Sequence, residues 1–413
     1  MGKSLKNIVV VYDYAHINGG AARVAIESAI ALSKQQNLNV YYVAEVGPVC
    51  EELKSSAVHV LCFNRKDINE SPKPTAIIKG IWNFNAYKDI KKAAKNLSPK
   101  DTIVHVHGWS KALSVSVISY FEKRKFPVII TLHDYFCICP NGGLYNYKNQ
   151  CICEQKPGSF SCLVSNCDKR NYAQKIWRSV RFLVQTSYIK NSKNVTYISI
   201  SKKNEELVKG IVRSNKFYQV KNPTSLINSS SSISNSENYY LYVGRVSEEK
   251  GCEIFCKAIF NANKQSKIQI HGIVIGDGPI YKNLKNQYPN ILFTGWKEKK
   301  DVEQYMKKAR ALVLPSKWYE GAPLTIVEGL MNGTPCIVSD CTTAAELFYD
   351  GNYGDVFEAS NAEALTNILL KYQDEDYWKY KKRTILSTFN SNQYNITIHT
   401  QNLLKLYFDI QGN

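Results

Sequence analysis

The chain has 413 residues, of which 44% are hydrophobic and 21% are charged. This composition is typical of a soluble globular protein rather than of a disordered or membrane-spanning one. A single hydrophobic core stops growing near roughly 250–300 residues, so the length predicts two domains. No apolar run reaches the roughly 18–20 residues that a spanning helix needs. The first residues fit neither a signal peptide nor a myristoylation signal, since Lys6 stands where a hydroxyl residue is required. We therefore expect a cytoplasmic protein.

The formal charge of +18 is confined to the first half of the chain. Residues 1–221 contain 33 Lys and Arg against 15 Asp and Glu, whereas residues 222–413 contain 20 of each kind. A one-sided basic field attracts a polyanion or an anionic membrane surface. The sequence has no zinc-finger or RNP signature, so nucleic acid is not the expected partner. A solvated, lysine-rich surface without any partner is the alternative.

Short β-branched segments alternate with helical patterns along residues 1–221. The strand pattern NIVVVYDY precedes an amphipathic helical pattern, AARVAIESAIALSK, and the strand patterns NVYYVAEV, TIVHVHG, PVIITLHD and NVTYISIS follow. This alternation predicts βαβ units, in which helices cover both faces of a parallel sheet. The first predicted domain is therefore Rossmann-like and doubly wound.

Residues 222–238, NPTSLINSSSSISNSEN, are rich in Ser and Asn and predict a surface linker. Residues 239–390 repeat the alternation and predict a second Rossmann-like domain. Ligands in such sheets bind at the carboxyl ends of the strands, so we expect a site built from loops of two domains that face each other across a cleft. Residues 391–413 predict a helix that packs back on the first domain through apolar residues, namely Ile398, Leu403, Leu404, Leu406 and Tyr407.

The segment YEGAPLTIVEG places two carboxylates eight positions apart, Glu320 and Glu328. Pro323 suits the first position of a helix, and the unpaired amides of that first turn favour an anion. Glu328 lies one turn further, beside an apolar stripe, where an unpaired carboxylate would be costly. We expect Glu328 to accept hydrogen bonds from hydroxyls and Glu320 to reach the other side of the anion. The alternative is that neither glutamate binds a ligand: one stabilises the start of the helix by its charge, and the other is a surface residue.

Cations and glycines follow other predicted strands. In LYVGRVSEEKG, Arg245 and Lys250 lie five positions apart at a strand end, which suits the stabilisation of a departing diphosphate. VIGDGP and FTGW are further strand exits, where a nucleobase could lie against the backbone. Gly19 and Gly20 stand between a strand and a helix and would allow phosphate to approach the helix start.

Three histidines stand at predicted strand ends of the first half: His105, His107 and His133. A lone histidine in such a position is usually a hydrogen-bonded structural residue. His133 follows an apolar run and precedes Asp134, which favours a position at the edge of the cleft.

Six of the twelve cysteines fall within residues 135–168, namely Cys137, Cys139, Cys151, Cys153, Cys162 and Cys167. Without an export signal disulfides are disfavoured, so a structural zinc site with four cysteine ligands, reduced buried cysteines and an iron–sulfur site remain as alternatives. This insertion follows His133 directly, and we expect it to shape the mouth of an acceptor site.

These motifs resemble those of the retaining glycosyltransferases of family 4, which have the GT-B architecture. The resemblance covers nearly the whole chain and is most specific in EGAPLTIVE and the residues after it. It implies that Arg245 and Lys250 stabilise the leaving nucleoside diphosphate, that Glu328 holds the ribose and that His133 contacts the donor sugar. It implies roles in binding the donor sugar and phosphates for further residues, which are Glu320, Gly19, Gly20, Gly276, Gly295, Gly321, Pro323 and Leu324.

The same resemblance implies transfer of a sugar from a nucleoside-diphosphate-sugar with retention of configuration and with no metal required. The basic first domain would suit a polyprenyl-diphosphate-linked or other glycan acceptor at the cytoplasmic face of an anionic membrane, in surface-polysaccharide assembly. A sugar-nucleotide epimerase of the same fold and a non-catalytic sugar-nucleotide-binding protein are the alternative functions.

Overall fold

The computed structural model describes residues 5–190, 192–212, 216–224 and 237–412. Its strands are, in chain order, β1 (Asn7–Val11), β2 (Asn39–Ala44), β3 (His59–Cys62), β4 (Thr102–Val106), β5 (Val128–Thr131), β6 (Tyr145–Asn146), β7 (Cys151–Ile152), β8 (Val195–Ser199), β9 (Phe217–Gln219), β10 (Tyr239–Val243), β11 (His271–Ile275), β12 (Leu292–Gly295), β13 (Ala311–Leu314), β14 (Cys336–Ser339) and β15 (Gly354–Phe357).

Helices connect most of these strands. The α-helices are α1 (Gly20–Ser33), α2 (Glu51–Lys54), α3 (Lys73–Ile81), α4 (Phe84–Ala93), α5 (Val115–Lys123), α6 (Phe160–Val164), α7 (Tyr172–Ile189), α8 (Lys202–Lys209), α9 (Cys252–Gln265), α10 (Tyr281–Gln287), α11 (Lys299–Lys308), α12 (Leu324–Met331), α13 (Ala362–Lys371), α14 (Glu375–Thr388) and α15 (Ile396–Gly412). Short 3-10 helices cover Glu248–Lys250, Thr343–Leu347 and Ser391–Tyr394.

The first compact unit contains residues 5–144, 154–223 and 392–412. Its seven-stranded sheet has the order β3-β2-β1-β4-β5-β8-β9, and every pair of neighbours is parallel. The central strands are almost continuously apolar because helices cover both sheet faces, which a parallel sheet requires. Ile8, Val10, Ile103 and Ile129 lie in the core between the sheet and its helices.

The second unit contains residues 145–153 and 224–391. Its parallel sheet has the order β12-β11-β10-β13-β14-β15, with a separate core on each face. The antiparallel hairpin of β6 and β7 groups with this unit, where the Lys317 Nζ donates a hydrogen bond to the Gln150 Oε1 at 3.1 Å. Two parallel α/β sheets confirm the predicted fold class.

The predicted linker, residues 222–238, lies for the most part outside the described residues, since the structure does not describe 225–236. At this point of the chain, the boundary between the two units falls between residues 223 and 224. Part of the predicted cysteine-rich insertion, residues 145–153, groups with the second unit rather than the first.

Helix α15 belongs to the first unit and packs against α1. Its buried side chains include Leu403, Leu406 and Tyr407, as expected from the sequence. Ile398 was expected to join them, but 38% of its side chain is exposed. The inward position at this turn is taken by His399, whose Nε2 lies 2.9 Å from the Ser28 Oγ and whose Nδ1 lies 2.8 Å from the Lys221 carbonyl oxygen.

Among the described residues, no helix combines the length and the hydropathy needed to traverse a lipid bilayer.

The buried imidazole of His399 should make stability depend on pH. Burial lowers its pKa to about 4, so the folded state keeps this histidine neutral while the unfolded chain protonates it near its ordinary value of 6.5. Stability from this group is complete above pH 6.5 and is lost as the pH falls towards 4. Between pH 7.5 and 5.0 the wild type should lose about 2 kcal/mol more unfolding free energy than His399→Gln does.

Urea unfolding at the two pH values measures this difference. Thr400→Ala is the control, because it changes a buried neighbour on the same helix without changing a titratable group. Identical pH dependence in the wild type and in His399→Gln would contradict the prediction.

Candidate active site

The turn after β10 brings two predicted cations to the carboxyl edge of the second sheet. Gly244 has a φ of 156°, and Arg245 follows it with an exposed side chain, while the Tyr242 hydroxyl donates to the Arg245 carbonyl oxygen at 2.7 Å. Gly251 then adopts a left-handed φ of 69°. A β-carbon at Gly251 would lie 1.8 Å from the Pro315 carbonyl oxygen, so only glycine permits this close approach between the loops.

The ammonium of Lys250 is paired with the carboxylate of Glu320. The Lys250 Nζ lies 2.9 Å from Oε1 and 2.8 Å from Oε2 of Glu320. Glu320 is only 6% exposed and also accepts hydrogen bonds from the Ser316 hydroxyl at 2.6 Å and from the Trp318 indole N–H at 3.0 Å. The ring of Trp318 lies 5.4 Å from the Lys250 ammonium. Sequence analysis placed both charges at the site but did not foresee that they neutralise each other.

Electrostatic surroundings keep Glu320 ionised. Burial alone would raise the pKa of Glu320, but the charge and hydrogen bonds of Lys250, followed by the bonds from Ser316 and Trp318, outweigh burial and lower the pKa below its ordinary value. The carboxylate is therefore a fixed anion that holds the ammonium in one place.

The start of α12 is open. Pro323 is the residue that caps this helix, with a φ of −72°, so the helix begins at Leu324, one residue later than the sequence predicted. No side chain caps the first turn, and Gly321, Pro323 and Leu324 are partly exposed. Backbone N–H groups of such a turn form a binding place for an anion.

Glu328 lies one turn into α12 and is partly buried. Its Oε1 accepts a hydrogen bond from the Thr224 hydroxyl at 3.3 Å and lies 4.0 Å from the Lys299 Nζ. A hydroxyl donor was expected from the sequence, and the structure supplies one from within the second unit.

The exits of β11 and β12 are shaped by glycine. A β-carbon at Gly276, whose φ is 133°, would lie 2.0 Å from the Gly244 carbonyl oxygen, which ties this exit to the loop of Arg245. Gly295 has a φ of 74° and open space around its Cα. Trp296 follows, and 76% of it is exposed. The sequence analysis quoted this tryptophan without giving it a role, although an exposed aromatic at a strand exit is a recognisable signal.

In the first unit, Gly19 and Gly20 stand at the start of α1. Gly19 caps the helix with an extended backbone, and no side chain caps the first turn. A β-carbon at Gly19 would meet nothing within 4 Å. The role of Gly19 and Gly20 beside a phosphate stays a prediction.

The three strand-end histidines stack on one another in the first unit. The His107 Nδ1 lies 2.9 Å from the His133 Nε2, and the two rings are 5.2 Å apart. His105 is buried between the Tyr407 hydroxyl and the Thr131 hydroxyl, at 2.6 and 2.7 Å. His105 is thus the structural histidine of the three.

Burial lowers the pKa of all three histidines, to about 3 for His133 and well below the ordinary range for His105 and His107. The rings are therefore neutral at physiological pH. In the hydrogen bond between His107 and His133, one ring nitrogen carries the proton and the other accepts it.

A residue that sequence analysis missed organises the same edge of the first sheet. The buried Asp13 carboxylate accepts hydrogen bonds from three consecutive backbone N–H groups, those of Lys111, Ala112 and Leu113, each at 2.8 Å. Asp13 follows the strand pattern NIVVV directly, but its partners lie about a hundred positions away, so the sequence carries no sign of them.

The cysteines of residues 135–168 do not assemble as the zinc interpretation requires. Within the described residues, no group of three or more His, Cys, Asp or Glu could hold a metal ion. Cys151 and Cys153 belong to the second unit, apart from the four others. The ammonium of Lys175 lies beside two of those, 3.4 Å from the Cys162 Sγ and 3.3 Å from the Cys167 Sγ.

Known proteins resemble this chain in sequence and in fold. Residues 225–388 match the family described as "Glycosyl transferases group 1". A glycosyltransferase of Methanocaldococcus jannaschii is 25% identical over 336 residues, which are 78% of this chain and 81% of that protein. The UDP-Gal:alpha-D-GlcNAc-diphosphoundecaprenol alpha-1,3-galactosyltransferase of Escherichia coli is 28% identical over 148 residues, 34% of this chain and 37% of that enzyme.

Among solved structures, HepE of Anabaena in complex with UDP and glucose superimposes with a TM-score of 0.67 at 15% identity, over 98% of this chain and all of HepE. This likeness supports the fold. The chain is a glycosyltransferase with two Rossmann-like domains, the GT-B architecture. Its second unit carries nearly all of the matched family region.

Gly251 and Gly295, two of the left-handed glycines of the second unit, permit a matched test of the Gly251 turn. Gly251→Ala and Gly295→Ala should each lose about 1–2 kcal/mol of unfolding free energy from the backbone conformation. Gly251→Ala should lose roughly a further 1–3 kcal/mol, because only its methyl group meets the Pro315 carbonyl. Urea unfolding measures both losses. Equal losses would show that the close approach to Pro315 does not affect the unfolding free energy.

Proposed function

We propose that the chain is a retaining glycosyltransferase of family 4 that transfers a sugar from a nucleoside-diphosphate-sugar to a lipid-linked or polysaccharide acceptor in surface-polysaccharide assembly. The observation that carries this proposal is the buried Glu320–Lys250 pair at the carboxyl edge of the second sheet, on the loop that leads into the open start of α12. A structural salt bridge alone would not require an uncapped helix start beside it.

The diphosphate is met by groups of three kinds. The Lys250 ammonium has three N–H donors; Glu320 accepts from it through both carboxylate oxygens, and in this proposal the remaining donor serves a phosphate oxygen. Arg245, exposed on the neighbouring loop, is unpaired among the described residues and supplies a full positive charge. The amides after Gly321 supply the positive end of α12. Because Lys250 is neutralised by Glu320, Arg245 and the helix start carry the net attraction.

The nucleoside half of the donor has its own contacts in this proposal. Glu328 accepts hydrogen bonds from the ribose hydroxyls, in place of or beside the Thr224 hydroxyl that it now holds. The base lies at the exits of β11 and β12, against the backbone at Gly276 and Gly295. The exposed indole of Trp296 is a stacking surface at the same exit.

In the reaction, the bond between the anomeric carbon and the diphosphate oxygen breaks while a bond from that carbon to the acceptor hydroxyl oxygen forms on the same face. The acceptor proton passes to the departing diphosphate. Charge grows on that diphosphate in the transition state, so fixed donors aimed at it accelerate the step. In the first unit, His133 contacts the donor sugar as a neutral ring and Gly19 and Gly20 leave room for phosphate.

A uridine diphosphate donor and a polyprenyl-diphosphate-linked acceptor are the substrates we propose. The E. coli relative has both in its name, and HepE was crystallised with UDP. The excess of 18 positive charges in residues 1–221 supports an acceptor presented at the cytoplasmic face of an anionic membrane, to which the enzyme binds peripherally.

Lys250→Ala and Glu320→Ala should each lower turnover by about 100-fold or more. The first change removes an N–H donor aimed at the diphosphate, and the second removes the carboxylate that fixes the position of that donor. Release of UDP from UDP-sugars in the presence of a polyprenyl-diphosphate-linked glycan measures turnover, with GDP-sugars assayed in parallel. Lys257→Ala is the matched control, since Lys257 is an exposed lysine on the next helix. Wild-type rates in the Lys250 and Glu320 variants would refute the assignment.

The dependence on acceptor separates transfer from the alternative functions. A transferase releases nucleotide only when the acceptor is added, an epimerase changes the donor without acceptor, and a binding protein does neither. The anomeric configuration of the product, read by proton NMR, tests retention. An α-linked donor should yield an α-linked product, and a β-linked product would overturn the retaining mechanism.

A further inference from the structure

Helix α7 of the first unit is amphipathic in the reverse sense to that of an ordinary globular helix. The side chains that it buries are largely polar, among them Lys175, Ser179, Arg181 and Gln185. The large side chains that it exposes are Tyr172, Ile176, Val180 and Leu183, whose spacing of four, four and three places them on one face. A helix normally turns its apolar face towards the core.

The buried polar side chains of α7 have specific partners, so this inversion is built into the fold. The Lys175 ammonium donates to the sulphurs of Cys162 and Cys167. The Arg181 Nη1 donates to the Ser110 carbonyl oxygen at 3.1 Å, and the Gln185 Oε1 accepts from the Trp109 indole N–H at 3.1 Å. The helix is thereby held with its apolar face outward.

Two neighbouring helices extend this exposed surface. The Trp177 indole N–H donates to the Ile77 carbonyl oxygen at 3.0 Å, which places α3 beside α7. The Tyr172 hydroxyl donates to the Leu163 carbonyl oxygen at 3.2 Å, which places α6 beside the start of α7. We use the term "outer apolar face" for the exposed side chains of the three helices, namely Ile77, Ile78, Phe160, Val164, Tyr172, Ile176, Val180 and Leu183.

Exposure on this scale marks a surface that is covered in use. Phe160 is 80% exposed, and none of the eight side chains is less than 41% exposed. Basic residues border the face. Lys73 and Arg170 line a cavity of about 340 Å³ together with Ile77 and Trp177, and Lys169 is exposed next to Arg170.

We propose that the outer apolar face is the surface by which the enzyme inserts into the headgroup region of an anionic bilayer, with a lipid phosphate held between Lys73 and Arg170. Large apolar side chains framed by cations are the composition of an interfacial membrane-binding surface. The excess of 18 positive charges in residues 1–221 favours anionic lipid over a second copy of the chain, whose equally basic unit would be repelled. This inference rests on the membrane association contained in the proposed function.

Co-sedimentation with vesicles tests the proposal. The full-length protein at low salt is mixed with vesicles of phosphatidylcholine alone or with about one third phosphatidylglycerol. The wild type should bind the anionic vesicles, and the double variant Ile176→Ser, Leu183→Ser should bind at least about 10-fold more weakly. Phe260→Ser, Ile268→Ser removes two equally exposed apolar side chains of the second unit and should bind as the wild type does.

A second double variant tests the phosphate site. Lys73→Gln, Arg170→Gln should weaken binding to anionic vesicles by about 10-fold, whereas replacing two exposed lysines of α4, Lys91→Gln and Lys92→Gln, should weaken it by a smaller factor. Equal losses in the two charge variants would mean that diffuse attraction alone operates and that no lipid phosphate is held at this cavity.

Other outcomes separate this inference from the proposed catalytic function. UDP binding by calorimetry should be the same in all these variants, because their substitutions lie outside the donor-binding residues. Wild-type vesicle binding by the double variant Ile176→Ser, Leu183→Ser would overturn the proposal that the outer apolar face binds the membrane. It would not affect the proposal of glycosyl transfer. A dimer of the wild type that this variant loses in sedimentation would identify a second copy as the occupant and would equally overturn the proposal. Failure of the wild type to bind UDP would count against the catalytic function instead.

Discussion

The buried carboxylate of Glu320 is the constraint around which the site of the second unit is arranged. An ionised carboxylate that is 6% exposed requires a cation and further donors, and Lys250, Ser316 and Trp318 supply them. Lys250 can reach Glu320 only because Gly251 lets its loop approach the Pro315 carbonyl. One charge thus determines how two loops meet, and the same loop leads into the open start of α12.

The strand ends of the first unit carry three neutral histidines and one carboxylate that, among the described residues, has no cationic partner of the kind that Lys250 provides for Glu320. His105, His107 and His133 are stacked and uncharged, and the Asp13 carboxylate is satisfied by three backbone N–H groups. The neutral ring of His133 adds no positive charge to this edge of the first sheet. The charges of the proposed chemistry are accordingly concentrated in the second unit, where the diphosphate is expected.

The sequence predicted the two sheets well because buried parallel strands are continuously apolar, as in NIVVV of β1 and ALVL of β13. It also marked Arg245, Lys250, Glu320 and Glu328, since charged residues directly after such strands or at a helix start are conspicuous. It could not predict that Lys250 and Glu320 are paired, because they are 70 positions apart and only the fold gives their distance.

The polarity of α7 escaped prediction for a related reason. A helical pattern shows that polar and apolar residues lie on different faces, but it does not show which face is inside. That choice depends on partners elsewhere in the chain, such as the Ser110 carbonyl oxygen for Arg181. The cysteine-rich segment illustrates the same limit, since cysteine spacing alone permitted zinc, whereas no group of metal-ligating side chains is found among the described residues.

Lys175 connects the buried polar side of α7 with the cysteine-rich segment. A buried ammonium is costly unless groups that accept its protons surround it, and Cys162 and Cys167 provide polarizable sulphur on two sides. Burial pulls the pKa of Lys175 down, but the charges of Cys167 and Cys162 and their hydrogen bonds outweigh burial and raise it above 10.5. Cys162 and Cys167 are thus partners that keep the polar side of α7 inside. Because the polar side chains of α7 have hydrogen-bond partners inside the first unit, its apolar side chains face outward, where they can contact a membrane.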